Sequence, residues 1–361
     1  MIIKEIELKN FRNYSDLKAE FNKGINFIVG ENAKGKTNLV EAIYTLSSAN
    51  SFRTLDATEM IKFKEKSAYV KCKLDIKNST KIIEITYVPQ GKKIKINNTS
   101  VKKVSELSSV VKMCLFSPKD TQLLKEAPKL RRNYVNSMIS KLSTTYLNAL
   151  ITYEKILKER NDAFKAFNVN KTLIDILRDR LIELNRTIFK ERRMFFEKIN
   201  ETLANVYPRI SLDNQKMTVK YLPMLNYDTK EEYMERLEQD FYANEEEEYR
   251  KKTTLFGVHK EDFEVYIDGR DVAKFGSQGE NRMCVLALKI APYYLVSDLD
   301  NRGIVILDDV LSELDEIHEE NLIRYLETLN QVFITNTNVS KFYEGEYYRV
   351  VGDNLKKEVT E

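Results

Sequence analysis

Apolar and polar residues alternate with the period of a β-strand in several segments of the first third of the chain, among them IIKEIELKNF, YVKCKLDI and KIIEITYV. This period places one face of a strand in a core and the other in solvent. The segment GINFIVG has the character of a short buried strand, and TNLVEAIYTLS after it repeats apolar residues at helical spacing. We therefore expect this part of the chain to form strands and one helix.

Two long helical patterns follow, over residues 142–166 and 172–207. At the rise of an α-helix the second pattern is roughly 50 Å long. The short break FNVN between the two patterns predicts an antiparallel helix pair, and Pro208 is expected to end the second helix. Ordinary helical bundles contain such pairs as well, so the pattern alone assigns the pair no purpose.

The last part of the chain returns to short apolar strands, GIVILDDV and QVFIT, among helical segments such as ENLIRYLETL. Strands of this kind belong to a sheet that is covered on both faces. No glycine lies between Gly91 and Gly257, so a glycine-free middle interrupts two glycine-bearing ends. The predicted fold is an α/β head split in the sequence into residues 1–118 and 209–361, with an inserted all-helical domain at 119–208.

Composition excludes several classes of protein. The 361 residues carry 58 Lys and Arg against 55 Asp and Glu, which excludes a histone-like polycation and a strongly acidic disordered chain. Three scattered cysteines favour a reducing compartment over a disulfide framework. No apolar run reaches the roughly 18 residues that span a bilayer, and the charged N terminus lacks the apolar core of a signal peptide. We expect a cytoplasmic protein that does not enter a membrane.

Charge is nevertheless uneven along the chain. Residues 60–103 contain 12 lysines and three acidic residues, whereas residues 228–248 contain ten acidic residues and two basic ones. The lysine-rich strands can contact nucleic-acid phosphates, or they can form a solvated sheet edge that lysines protect. The sequence leaves these two interpretations open. For the acidic stretch we favour a solvated helix face.

The segment Gly30-Glu31-Asn32-Ala33-Lys34-Gly35-Lys36-Thr37 matches GxxxxGK[ST] between a predicted strand and a predicted helix. Glycines let the backbone curl so that its N–H groups face phosphates, and the helix N terminus adds a favourable dipole. Lys36 then reaches the β- and γ-phosphates of a nucleotide, and the Thr37 hydroxyl binds Mg²⁺. The flanking strand and helix disfavour the alternative of a chance Gly-Lys loop.

Two carboxylates, Asp308 and Asp309, end the apolar strand GIVIL. A carboxylate in this position can hold Mg²⁺ beside Thr37, and the second can orient or activate the attacking water. Taken alone, the pair is equally compatible with a solvated turn. The two motifs are 271 positions apart, much more than in a small phosphate-loop domain, so a folded block must be inserted between two parts of one sheet.

A third motif, Phe275-Gly276-Ser277-Gln278-Gly279-Glu280, precedes a long helical segment. A Gly-Ser-x-Gly turn at a helix N terminus is a phosphate-type site. Taken alone, it is more simply a glycine-rich loop with Ser277 as N-cap. We call residues 275–280 the signature turn.

The motifs occur in the order LKNFRNY, GENAKGKTN, FSPKD, RRNYVN, GVHKEDF, FGSQGENRMCVLALKIA, LDDVLSELD and FITNTN. This order resembles the RecF family of bacterial recombination-repair ATPases, of the SMC/ABC class, over essentially the whole chain. The resemblance implies an ABC-type P-loop ATPase head with a helical lobe. It also implies an ATP-dependent homodimer. In this dimer each nucleotide lies between the phosphate loop of one subunit, residues 30–37, and the signature turn of the other.

The resemblance assigns roles to individual residues. It implies that Lys36, Asp308 and Asp309 are catalytic and that Thr37 and Asp308 hold Mg²⁺. The residues implied to bind ATP are Arg12, Gly30, Glu31, Asn32, Ala33, Lys34, Gly35, Lys36, Thr37 and Asn38 in one subunit, and Ser277, Gln278 and Gly279 in the other. Residues 312–315 resemble the D-loop at the dimer interface.

Three positions depart from the pattern of the class. Asp309 stands where ABC proteins generally have Glu, so its carboxylate lies farther from the water, and Asn336 or Thr337 stands where transporters use His. From these two departures we expect slow ATP hydrolysis that times a clamp. Glu280 stands where the family usually has Gln, and we expect it to weaken the ATP sandwich unless its carboxylate points away from the triphosphate.

The resemblance also implies partners: double-stranded DNA, with a preference for duplex near single-strand junctions, and RecR, which acts with RecO to load RecA at gaps. It implies weak, DNA-dependent ATPase activity. No base-reading motif is visible, so we expect DNA binding to be sequence-independent and salt-sensitive. Two functions of other classes stay open, an ABC transporter ATPase subunit and a nucleotide-gated interaction module whose hydrolysis is incidental.

Overall fold

The computed structural model describes residues 1–77, 79–211, 214–225, 227, 229–296, 302–337 and 343–358. Residue contacts divide the chain into two compact units. Unit 1 comprises Met1–Thr121, Asn205–Asn214 and Arg282–Glu361, and unit 2 comprises Gln122–Ala204 and Gln215–Asn281. None of the helices in the described ranges is both long and apolar enough to cross a membrane.

The described ranges contain fifteen strands and ten α-helices. The strands are β1 (Ile2–Phe11), β2 (Tyr14–Glu20), β3 (Gly24–Val29), β4 (Ala68–Ile76), β5 (Ser79–Val88), β6 (Gly91–Ile96), β7 (Thr99–Val101), β8 (Met113–Phe116), β9 (Met217–Leu222), β10 (Asp262–Ile267), β11 (Arg270–Asp271), β12 (Ile304–Asp308), β13 (Gln331–Asn336), β14 (Glu346–Val351) and β15 (Asn354–Glu358). The helices are α1 (Lys36–Ser48), α2 (Val104–Val110), α3 (Pro128–Leu142), α4 (Thr144–Lys165), α5 (Lys171–Ser211), α6 (Lys230–Ala243), α7 (Glu245–Lys251), α8 (Val272–Phe275), α9 (Gln278–Tyr294) and α10 (Glu316–Leu326).

The first sheet of unit 1 has the strand order β2-β1-β4-β5-β6-β7, and all its neighbours are antiparallel. Along β4 buried and partly exposed residues alternate, as the period of the sequence predicts. The turn between β6 and β7 has positive φ at both Asn97 and Asn98, the backbone of a two-residue hairpin turn that favours Asn. The predicted hairpin is thus present, and it ends the sheet.

The second sheet of unit 1 has the order β15-β14-β3-β13-β12-β8. Its strands from β14 to β8 run parallel, and every residue of β12 is buried. Strands β3 and β8 come from the first part of the chain, whereas β12, β13 and β14 come from the last part. The two ends of the chain therefore build one sheet, as the distance between the motifs required.

The helix pair is present as α4 and α5, but α5 does not end at Pro208. It continues to Ser211. Tyr207 and Ile210 are buried on either side of the proline. Burial of these two side chains outweighs the backbone hydrogen bond that proline removes, because tertiary packing commonly overrides local propensity.

Unit 2 is not all-helical, which differs from the predicted domain division. It contains the antiparallel sheet β11-β10-β9 from residues that the sequence analysis placed in the head. The reason is packing: the ring of Phe196 on α5 stacks on Tyr221 and lies 5.7 Å from the ring of Phe263. Asn200 of α5 also bonds both the N–H and the C=O of Val219, at 2.7 and 2.8 Å. The long helix thus supplies the cover that the apolar face of this sheet needs.

The acidic stretch forms α6 and α7. Most of its acidic side chains are partly or fully exposed, in agreement with a solvated helix face. Glu248 is the exception, because it is fully buried and accepts a hydrogen bond from Arg160 at 2.6 Å. One acidic residue of this stretch therefore serves the core of unit 2.

Candidate functional site

The phosphate loop lies between the end of β3 at Val29 and the start of α1 at Lys36. Gly35 has a φ of 110°, and a Cβ atom there would lie 2.5 Å from the side-chain nitrogen of Asn13. Glycine is therefore required twice, by the backbone angle and by the close approach of Asn13. Residues 31–34 are exposed, so the loop is open to a ligand from solvent.

Lys36 lies over this loop and is only 8% exposed. Its ammonium group donates hydrogen bonds to the carbonyl oxygens of Gly30 at 2.6 Å and Glu31 at 2.8 Å. Burial lowers the pKa of Lys36 against the opposing effect of Asp309 and Asp308. An ammonium group that is hydrogen-bonded to neutral carbonyls can exchange them for phosphate oxygens, so the loop and Lys36 fit a triphosphate.

Asp308 at the end of β12 meets Thr37 at the start of α1. The Thr37 hydroxyl donates to Asp308 Oδ1 at 3.1 Å, and the Thr335 hydroxyl from β13 donates to the same oxygen at 2.8 Å. Burial raises the pKa of Asp308. A nearly buried carboxylate and a hydroxyl side by side are ligands that Mg²⁺ accepts together with phosphate oxygens, so this pair fits the predicted ion.

Asp309 adopts a left-handed backbone conformation with φ 53°. For a residue other than glycine this conformation is uncommon and is found at functional sites. Its N–H donates to the Thr335 hydroxyl at 2.9 Å, so one side chain supports both aspartates. Thr335 was not among the predicted site residues, whereas Asn336 and Thr337 of the same segment were considered. A threonine among the last residues of a buried strand, beside the carboxylate strand, was the available signal.

Arg12 was predicted to approach the nucleotide phosphates. The structure places its guanidinium group on Glu41 of α1, with Nε 2.9 Å and Nη2 2.7 Å from the two carboxylate oxygens. Glu41 is fully buried, and Ser51 also donates to it. The phosphate contact of Arg12 stays a prediction, and Glu41 is a residue of this region that belongs to none of the sequence motifs.

A chain of hydrogen bonds joins this carboxylate to the loop. Arg53 lies 3.5 Å from Glu41 and donates to the side-chain oxygen of Asn38 at 2.7 Å. Asn38 donates in turn to Asn13 at 2.7 Å, and Tyr14 donates to the carbonyl oxygen of Gly35 at 3.0 Å. The NFRNY segment therefore buttresses the phosphate loop from one side, whereas the predicted role of Asn38 was ATP binding.

The signature turn belongs to unit 2. Ser277 precedes α9, whose first residue is Gln278. The N–H of Ser277 donates to Glu280 Oε2 at 2.7 Å, and the N–H of Glu280 donates to the Ser277 hydroxyl at 3.1 Å. This is the reciprocal capping box. A Cβ atom at Gly279 would meet only the Ser277 hydroxyl oxygen, at 3.9 Å.

The D-loop-like segment contains a short 3-10 helix over Leu311–Glu313. Arg282 donates to the carbonyl oxygen of Glu313 at 2.8 Å and also pairs with its carboxylate. Asp315 caps α10 by accepting from the N–H of His318 at 3.0 Å. These contacts hold the segment after Asp309 in a defined conformation.

Known proteins are similar to this chain over nearly its whole length. Residues 2–356 match the RecF/RecN/SMC N-terminal domain family. The chain is 35% identical over 349 residues to the DNA replication and repair protein RecF of Shouchella clausii (strain KSM-K16), with 94% of each chain covered. It is also 35% identical over 351 residues to that of Bacillus cereus (strain G9842), covering 94% of this chain and 92% of the relative.

Among solved structures, the recombination mediator protein RecF with ATPrS in the RecFOR pathway matches with a TM-score of 0.89 and 31% identity, over 99% of this chain and 98% of that chain. The Smc head bound to the C-winged helix domain of ScpA matches with a TM-score of 0.59 and 15% identity, over 99% and 97% of the chains. The second likeness concerns the fold alone. The predicted ABC-type head fold is confirmed by these matches.

Proposed function

The chain belongs to the RecF family, within the RecF/RecN/SMC class of ATPases, and from that premise we propose that it is an ATP-dependent DNA-binding protein of recombinational repair. The observation that carries the proposal is the meeting of Lys36, Thr37 and Asp308 at one phosphate loop. The proposed action is an ATP-driven dimer that clamps duplex DNA near single-strand gaps in the cytoplasm and releases it on hydrolysis to ADP and phosphate.

Different residues of the site bind the phosphates, hold the ion and orient the water. The N–H groups of residues 30–37 and the Lys36 ammonium group bind the phosphates, and Thr37 with Asp308 holds Mg²⁺, which offsets the charge of the β- and γ-phosphates. Asp309 orients the attacking water. Its strained backbone and short side chain restrict where the carboxylate can reach, which supports slow hydrolysis. The signature turn of the second copy completes the nucleotide site.

Lysines on the first sheet of unit 1 support the DNA-binding part of the proposal. Lys71 and Lys73 on β4 pair with Glu7 and Glu5, at 3.8 and 3.1 Å. Lys93 and Lys95 on β6 are exposed, lie on the same face, and form no ion pair with any residue of the described ranges. Unpaired lysines spaced two residues apart on one sheet face are suited to successive phosphates.

The partners are proposed from the family. One of the similar solved structures is that of the recombination mediator protein RecF with ATP, in the RecFOR pathway. We extend this association to the present chain, with RecR and RecO as partners and the loading of RecA at gaps as the result. The weak ATPase is expected to respond to DNA, because DNA that bridges two heads favours the dimer in which hydrolysis takes place.

The test is light scattering on the Asp309→Asn protein, which is expected to bind ATP and not hydrolyse it. With ATP and Mg²⁺ the mass should change from that of one chain, 42.3 kDa, to about twice that value. The same protein with ADP is the control. A protein that binds ATP and stays monomeric, with and without duplex DNA, contradicts the clamp.

The DNA arm of the experiment uses Lys93→Gln/Lys95→Gln beside the matched control Lys71→Gln/Lys73→Gln. Loss of two phosphate contacts should lower the slope of log affinity against log salt by about two for the first variant. The control should keep most of the slope, because its lysines already pair with glutamates. A slope that stays unchanged in the Lys93→Gln/Lys95→Gln variant would assign the DNA contact to another surface. ATP-dependent dimerisation is measured in parallel and should not change.

A further inference from the structure

Glu280 lies inside the signature turn and is ionised at neutral pH. The N–H of Ser277, and after it the Arg270 guanidinium, holds the pKa of Glu280 below its usual range against the effect of burial. A negative charge at the first turn of α9 is favourable for the helix itself. It is unfavourable for a triphosphate that approaches the same helix end, because like charges repel strongly where water is excluded.

Gly279, the neighbour of Glu280, indicates that a ligand approaches the start of α9. Gly279 is the second residue of α9, and glycine destabilises a helix relative to alanine. Its own chain leaves room for a Cβ atom, with the nearest neighbour 3.9 Å away, and its φ is not positive. The fold of unit 2 therefore does not require glycine here, whereas close approach of a ligand to the backbone does.

Arg270 counters the charge of Glu280. Its guanidinium Nη2 pairs with Glu280 Oε1, while Nη1 donates to the carbonyl oxygen of Phe275 at 3.0 Å. One side chain thus spans the signature turn from its first residue to its last. The arginine is itself held on β11, which pairs with β10 through a tight turn with positive φ at Asp268 and Gly269.

We propose that Arg270 is a positioning residue of the ATP-dependent dimer, which neutralises Glu280 and holds the signature turn so that the Ser277 hydroxyl and the Gly279 backbone can receive the γ-phosphate of the partner copy's ATP. The inference rests on the proposed ATP sandwich. It accounts for the Gln-to-Glu departure in this chain, since Arg270 and Glu280 together present no net charge to the triphosphate. The Ser277 oxygen accepts the N–H of Glu280, and the Ser277 hydroxyl also bonds the Glu280 carboxylate, an acceptor that it exchanges for the γ-phosphate in the proposed dimer.

The test compares four proteins in the Asp309→Asn background: the background itself, Arg270→Gln, Glu280→Gln and the double variant. The quantity measured is the ATP concentration at half dimerisation, by light scattering. Arg270→Gln should raise it about tenfold, because an uncompensated carboxylate then faces the triphosphate. Glu280→Gln should leave it near the background, since glutamine also closes a capping box. The double variant should return to within about threefold of the background, because no charge is left to neutralise.

Rescue by the second substitution is the outcome that a purely structural role would not produce. The Arg270→Gln defect should also shrink as salt is raised, because the repulsion is screened. Binding of a fluorescent ATP analogue to the monomer should be equal in all four proteins. Arg193→Gln, which removes an exposed arginine paired with Glu197 at 3.0 Å in the same unit, is the matched control and should leave dimerisation unchanged.

Two results overturn the inference alone. Arg270→Gln that dimerises like the background removes any role for the arginine, and a double variant as impaired as Arg270→Gln shows that the arginine does not act through Glu280. A background protein that binds ATP and never dimerises is a different failure. It removes the ATP sandwich, and with it both the proposed function and this inference.

Discussion

Two buried carboxylates, one in each unit, have opposite surroundings. Glu261 in unit 2 is 1% exposed and accepts hydrogen bonds from Arg192 at 2.7 Å and from the hydroxyls of Tyr221 and Tyr233. Asp308 in unit 1 is 5% exposed, and within the described part of the chain its carboxylate accepts from two threonine hydroxyls. The first charge has a buried cation as its partner. The second has neutral donors and an elevated pKa.

The difference separates a structural carboxylate from one that is suited to bind a ligand. A buried ion pair with all its hydrogen bonds made is costly to break and has nothing left for a ligand. A buried carboxylate that lacks a cation is unfavourable until a cation arrives, and such groups concentrate at functional sites. Burial, with Glu261 beside it, raises the pKa of Tyr233, so this phenol remains a donor and keeps the cluster of unit 2 closed.

The largest expected effect is on the stability of unit 2. Glu261→Gln should lower the free energy of unfolding by about 3–5 kcal/mol, because Arg192 is then left buried without a counter-charge. Chemical denaturation followed by circular dichroism measures it. Glu197→Gln, which removes an exposed carboxylate paired with Arg193, is the control and should cost less than about 1 kcal/mol. Equal losses in both variants would end the distinction between the two carboxylates.

Asp308→Asn should behave in the opposite way. Hydrolysis should fall about a hundredfold, because the amide no longer holds the cation beside the phosphates. Thermal stability without nucleotide should stay the same or rise. The sign follows from the raised pKa: the folded state favours the protonated form, so the ionised carboxylate destabilises it at neutral pH. A strong loss of stability would place Asp308 in the structural class with Glu261.

The smallest effect concerns pH. Burial lowers the pKa of His259 to about 4, and the ring nitrogen Nδ1 lies 2.6 Å from the hydroxyl of Tyr153. The unfolded state binds a proton at about pH 6.5 and the folded state only near pH 4, so stability falls as pH falls between these values. The loss should be about 2 kcal/mol between pH 7 and pH 5.

Two measurements check this pH dependence. The ring signal of His259 in NMR should titrate near pH 4, and His318 supplies the only other histidine signal. His259→Gln should flatten the stability of unit 2 between pH 7 and pH 5. A His259 signal that titrates in the ordinary histidine range would show that burial does not keep the ring neutral.

Local patterns predicted much of the proposed nucleotide site. The phosphate loop follows from GxxxxGK[ST] between a strand and a helix, because loop shape and lysine position are set within eight residues. Alternation predicted β4 and β5, and Asn97-Asn98 predicted the hairpin turn. The apolar run before Asp308 predicted a buried strand that ends in a carboxylate, and Thr37 lies beside it.

Partners distant in sequence were not predictable in the same way. Glu41 and Thr335 carry no motif of their own, and their importance appears only when Arg12 and Asp308 meet them, 29 and 27 positions away. Strands β9 and β10 were predicted to lie in the head, because the sequence pattern of a strand does not show which domain the strand belongs to. Contact with α5 decides their unit, since an apolar sheet face joins the surface that covers it.

By itself, the sequence determined the class of fold, the phosphate loop and the two carboxylates at a strand end, because each depends on residues close together in the chain. The tertiary structure alone decided which carboxylate is paired, which donors support Asp308 and how Arg270 compensates Glu280. The physical reason is that a charge is stabilised or left available by whichever groups packing brings within hydrogen-bond distance, and packing selects them without regard to their order along the chain.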